Sequence, residues 1–128
     1  MDQPTDLKPP MAGFLPQYLY ELKKGVRPLF LLTMSAAEAE LVQKRLEKEA
    51  VAFYRQCVSE TKVNMFFGQA YCIAMVRSIV TGPLNALSPE QDFILGTLLG
   101  YEREQQCRRY LIRASPSARI HSERAPTN

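Results

Sequence analysis

The first hydrophobic rhythm in the chain begins only at Phe14 and Leu15. Residues 1–16 carry Pro4, Pro9, Pro10 and Pro16 without periodic apolar positions, so they are expected to form an extended proline-rich leader. Residues 18–24 fit two patterns. Tyr18, Tyr20 and Leu22 alternate as in a strand, whereas Leu19, Leu22 and Lys23 suit a short helix that Gly25 could close, and the helix is taken. After Pro28, the run Leu29-Phe30-Leu31-Leu32-Thr33-Met34 is apolar on both faces and too brief for an ordinary helix, which makes it a strand buried on both sides.

Ser35 followed by Glu38 has the spacing of a capping box and starts a helix, with Ala39, Val42 and Leu46 inward and Glu40, Lys44, Glu47 and Lys48 outward. Glu40 and Lys44 stand at the favourable four-residue separation, and the helix ends near Glu49 or Ala50. Two segments of β-type composition, Val51–Val58 and Val63–Phe67, flank the polar turn Ser59-Glu60-Thr61-Lys62 and predict a hairpin. Beyond Gly68, a helix over Gln69–Val80 has Tyr71, Cys72, Met75, Val76 and Ile79 on its inner stripe and Arg77 and Ser78 outside it, until Thr81-Gly82-Pro83 stops it. Ser88-Pro89-Glu90-Gln91 opens a further helix with a capping serine, a proline at the first helical position and a glutamine at the third. That helix is apolar nearly all round from Phe93 to Tyr101, is charged from Glu102 to Arg109, and is expected to bend near Gly100.

The order of elements is short helix, strand, helix, two-stranded hairpin, then two or three further helices: an α+β chain with a three-stranded sheet. It reads as one domain over residues 17–112, followed by a disordered arginine-containing tail over 113–128. If the third strand lies beside the first, as in the split arrangement of ferredoxin-like folds, the first strand keeps one free edge. That strand has no charged residue to blunt the edge. A second copy is then expected to shield Leu29 to Met34, either by continuing the sheet through the two first strands or by laying its terminal helix over the edge. Leu29 and Leu31 are therefore candidate dimer contacts. Gly96 and Gly100, four apart on one helix, are candidates as well, although they also suit a close neighbour within the chain.

Composition narrows the chemistry. The 128 residues are 46% hydrophobic and 23% charged, as expected of a folded chain. The net charge of +3 is uneven: residues 108–128 hold five arginines against Glu123 alone, which leaves residues 1–107 at −1. A near-neutral body offers no broad cationic face for nucleic acid, so a nucleic-acid partner is not expected and the arginine tail is read as a solubilising terminus. Neither a secretory leader nor a span of about 18 apolar residues is present, so membrane insertion is not expected and the cytoplasm is the expected compartment.

The three cysteines are odd in number and widely spaced, which suits neither a disulfide framework nor a zinc knuckle. His121, the one histidine, lies in the tail, and the six glycines form no phosphate-binding loop. No cofactor, no metal and no catalytic constellation is expected. Cys57 and Cys72 read as small buried hydrophobes, while Cys107, beside Arg108 and Arg109 and near Arg103, is the candidate reactive thiol. The acidic pairs Glu90 with Asp92 and Glu102 with Glu104 are accounted for by a helix start and a solvated face. Tyr20, Glu21, Lys23, Lys24 and Arg27 cluster before the first strand; Tyr20, Lys24 and Arg27 are candidate partner contacts there, set against a simple solvated turn.

The segment Tyr20-Glu21-Leu22-Lys23-Lys24-Gly25-Val26-Arg27 with the apolar strand and Thr33, together with Leu87 to Gly96 and Leu99 to Tyr110, resembles the domain of unknown function 2023 family of small bacterial proteins. The resemblance spans about residues 17–112 and is more specific in its second part. It implies three strands with about five helices and a homodimer, and no established activity. The resulting expectation is a homodimeric accessory or regulatory protein acting through contacts with a protein partner. The alternative is a redox-linked protein that uses Cys107 or docks on an electron carrier.

Overall fold

A computed structural model describes residues 9–115. The elements are α1 (Pro9–Lys23), β1 (Leu29–Ser35), α2 (Ala36–Lys48), β2 (Ala52–Cys57), β3 (Lys62–Gly68), α3 (Ala70–Ile79), a 3-10 turn (Leu84–Ala86), α4 (Pro89–Leu98) and α5 (Arg103–Ala114). Among the described residues, five α-helices and one antiparallel sheet make an α+β fold. Within the stretch read as one domain, the chain falls into two compact units that divide between Ser78 and Ile79.

In the first unit the strand order is β1-β3-β2, with β3 antiparallel to both neighbours. β1 and β2 thus run in the same direction with β3 inserted between them, which is the split β-α-β arrangement with α2 as the crossover. The register aligns Phe30, Phe67 and Phe53 in one row and Leu32, Met65 and Arg55 in the next, all on one face. Phe30 and Phe67 stack at 5.2 Å. Leu15, Leu19 and Leu22 of α1 and Ala39, Val42 and Leu46 of α2 close this face into the apolar core. The opposite face carries Leu31, Phe66 and Tyr54 in one row and Thr33, Asn64 and Gln56 in the next.

The central strand follows from position: Val63 to Gly68 are all buried, while β2 on the far edge is half-buried along most of its length. Gly68 is required by close approach, since a Cβ there would collide with the Pro28 carbonyl and the Leu29 backbone.

Three helices end in the same way. Gly25, Ala50 and Gly100 have positive φ, and in each case the next residue donates its N–H five residues back: Val26 to Glu21, Val51 to Leu46, Tyr101 to Gly96. This is the Schellman closure, which satisfies carbonyls that the last helical turn leaves open. Both capping boxes form, at Ser35 with Glu38 and at Ser88 with Gln91.

Several sequence expectations are corrected. α1 begins at Pro9, inside the segment read as an extended leader. Prolines at positions 9 and 10 lie in the first turn, where their missing N–H groups have no helical acceptor, and the buried Leu15-Leu19-Leu22 stripe carries the helix through Pro16. The bend expected at Gly100 is a full stop between α4 and α5. The inner stripe of α3 is Cys72, Ile73 and Val76, rotated from the expected one, so Tyr71 and Met75 are exposed. Glu40 pairs with Arg55 of β2 at 2.8 Å rather than with Lys44. The chain also covers Leu29, Phe30 and Met34 unaided, leaving Leu31, Leu32 and Ser35 half-exposed and Thr33 exposed on β1. Side-chain burial along β1 therefore does not require a second copy. Its backbone edge is a separate matter, because β1 pairs with β3 on one side and with no described strand on the other.

Candidate functional site

The residues singled out before β1 lie on the turn that joins α1 to the sheet. Tyr20 is exposed, with the Lys24 ammonium 5.6 Å from its ring centre, and the Arg27 guanidinium lies 4.4 Å from the centre of the Phe30 ring. Such cation–aromatic stacking holds the cations against the surface. Lys23 reaches the other way, to Glu49 of the α2 cap at 3.0 Å, and Arg45 joins the same carboxylate at 3.1 Å. Lys23, and then Arg45, hold the Glu49 carboxyl below the usual carboxylate range.

The opposite flank of α1 is aromatic. Lys23 and Tyr18 project from the helix about 140° apart, so while Lys23 meets α2, Tyr18 and its neighbour Phe14 lie away from it. Tyr18 packs on Phe30 with ring centres 5.1 Å apart, and Phe14 extends that contact outward with 57% of its surface exposed. On the α1 side of the sheet Leu32 and Tyr18 both pack against the apolar core and Phe14 extends from Tyr18, while Leu31 lies on the opposite face of the same open edge strand. Leu29, a candidate contact, is fully buried within the chain, so its side chain offers no surface to a second copy, while the side chain of Leu31 is half-exposed.

The glycine pair belongs to the interior of the second unit. Gly96 is buried, and a Cβ there would overlap the side chain of Gln106, which is itself buried and donates to the Phe93 carbonyl at 3.2 Å. Gly96 thus admits α5 and does not await another chain, and Gly100 is the left-handed residue that closes α4. Contacts between Leu87 and Arg113, Glu90 and Tyr110, Asp92 and Arg109, and Gly96 and Gln106 run in opposite directions along the two helices, so α4 and α5 are antiparallel.

The acidic pairs are engaged structurally. Asp92 takes Arg109 in a bidentate pair at 2.7 and 3.1 Å and Arg113 at 3.2 Å, and Arg109 chiefly holds its carboxyl below the usual range. Tyr110 donates to Glu90, Glu102 caps α5, and Glu104 pairs with Arg108. Arg113, expected at the start of the tail, is helical and also donates to the Leu87 carbonyl. His121, Arg119 and Arg124 lie outside the described residues.

The cysteines separate by exposure. Cys72 is buried, and burial pushes its thiol up. Cys57, expected inside, is exposed at the end of β2, where the strand gives way to the hairpin turn. Cys107 is exposed on α5, but the neighbouring cations are occupied, Arg108 by Glu104 and Arg109 by Asp92.

One feature escaped the sequence. Thr33 donates to the Asn64 side-chain carbonyl at 2.7 Å, and the Asn64 amide donates to Gln56 at 3.0 Å, forming a polar row across all three strands. Asn64 between two hydrophobic neighbours in β3 was the available signal. No described helix is long and apolar enough to cross a membrane.

A family model for proteins of unknown function, DUF2023, matches residues 14–113, which takes in the sheet, α2 to α5 and most of α1. The chain belongs to the DUF2023 family. The match starts at Phe14, the first residue of the aromatic flank, and ends one residue before the end of α5. No curated protein matches the chain significantly.

Proposed function

We propose that this DUF2023 protein is a non-catalytic accessory or regulatory protein of the cytoplasm that works as a homodimer through protein contacts. The observation that carries the reading is β1: residues 28–37 contain no charge, and the strand has a hydrogen-bonded neighbour on one side only among the described strands. Natural edge strands are blunted by charge, proline or a bulge, and an edge lacking these devices is suited to pairing. Sedimentation of the full chain at micromolar concentration tests it. A dimer that Leu31→Lys converts to a folded monomer supports the reading, and a lone wild-type protomer removes it. The accessory role adds that Leu31→Lys fails to complement a deletion that the wild-type gene restores.

The exposure of Cys107 favours a second reading, a redox-linked role. Alkylation of Cys107 that is fast near neutral pH, with loss of complementation in Cys107→Ser, supports it; slow labelling with full complementation by Cys107→Ser overturns it.

A further inference from the structure

We infer that the two copies join through an antiparallel β1–β1′ pair centred at Leu32, with Phe14 and Tyr18 of each α1 packed against those of the other across the two-fold axis. The inference rests on the homodimer reading above and adds the joint, its direction and two contact residues on α1. Pairing about Leu32 sets Leu31 opposite Thr33 and Leu29 opposite Ser35, so side chains of like face stay on one side of a continuous six-stranded sheet. Both α1 helices then lie on the same face of that sheet, antiparallel and adjacent. The flanks they turn to each other are those that carry Tyr18, half-buried on Phe30, and Phe14, 57% exposed.

Charge selects the direction. The strand is uncharged, but the turn before it carries Lys24 and Arg27, and Glu38 follows it on α2. In the antiparallel pair the Arg27 end of each β1 meets the Ser35 end of the other, where α2 opens with Glu38 in its first turn; a parallel pair would bring Lys24 and Arg27 of both copies together, and like charges in register oppose association. A two-fold axis at Leu32 also places the half-exposed leucines of β1 at the centre of the joint, the position at which interface side chains are most fully desolvated.

The experiment uses the full chain with Cys57→Ser and Cys107→Ser, leaving Cys72 buried. Leu32→Cys, opposite itself on the axis, is expected to give a covalent dimer as the main product of mild oxidation, while Glu47→Cys on the exposed face of α2 stays monomeric on the same gel. Phe14→Glu is expected to weaken the dimer at least tenfold in sedimentation, with its circular dichroism spectrum and thermal midpoint unchanged at concentrations where wild type is monomeric. A wild-type dimer with no Leu32→Cys cross-link and undiminished affinity in Phe14→Glu overturns this joint and leaves the homodimer standing. Wild-type protomers at micromolar concentration overturn both.

Discussion

The first unit is held mainly by apolar contact, whereas polar contacts predominate between the two helices of the second unit. The sheet and its two covering helices bury an aromatic and aliphatic slab whose centre, Phe67, is stacked on Phe30 and fully enclosed. Between α4 and α5, by contrast, one edge-to-face ring contact of Phe93 with Tyr110 is joined by a buried glutamine seated on a glycine, a carboxylate shared by two arginines and a tyrosine–glutamate bond. Apolar contact is non-directional and tolerates small shifts, whereas hydrogen bonds demand fixed geometry and leave a costly unpaired group when one partner goes. The two regions are therefore expected to respond to different insults.

The largest effect separates them most clearly. Phe67→Ala is expected to cost about 3–5 kcal/mol in urea unfolding, because it removes a ring and leaves a cavity that the sheet cannot close. Gly96→Val is expected to cost about 2 kcal/mol by displacing Gln106 from the Phe93 carbonyl. Its signature is loss of amide-exchange protection in α4 and α5 with the sheet amides unchanged; an equal loss in the sheet would show that the two regions open together and break the distinction.

Asp92→Asn should cost about 1 kcal/mol at neutral pH, since the paired arginines are partly exposed. Its sign with pH is fixed by the depressed carboxyl. The stabilisation is complete above the unfolded value of about 4 and disappears as the pH falls through the lower folded value. The variant's stability should therefore fall less steeply than wild type on acidification below about pH 4, as read from thermal midpoints.

The smallest effects compare the same helix closure in both regions. Gly100→Ala forces a Cβ into a left-handed residue and is expected to destabilise by about 1 kcal/mol. Ala50→Gly relieves that conformation at the end of α2 and is expected to stabilise by about 0.5–1 kcal/mol. Opposite signs in denaturant midpoints check the pair.

The readable parts of the fold and of the candidate surface were those written in neighbouring residues. The Ser35 and Ser88 boxes, the hairpin turn, the Ala39-Val42-Leu46 stripe and the uncharged run of β1 each depend on groups a few positions apart. Such bonds form wherever the backbone is locally helical or turned, so the sequence alone determines them. The packing of Phe14 and Tyr18 beside Phe30 escaped because prolines masked the start of α1, and the α3 stripe was misplaced because residues 71–73 and 75–76 are apolar on both flanks. The order β1-β3-β2, the exposure of Cys57 and the seating of Gln106 on Gly96 were decided by the tertiary structure. Each is a contact between residues distant in sequence, or depends on such contacts, and local propensity gives no energy difference between the alternatives until the partner surface is in place.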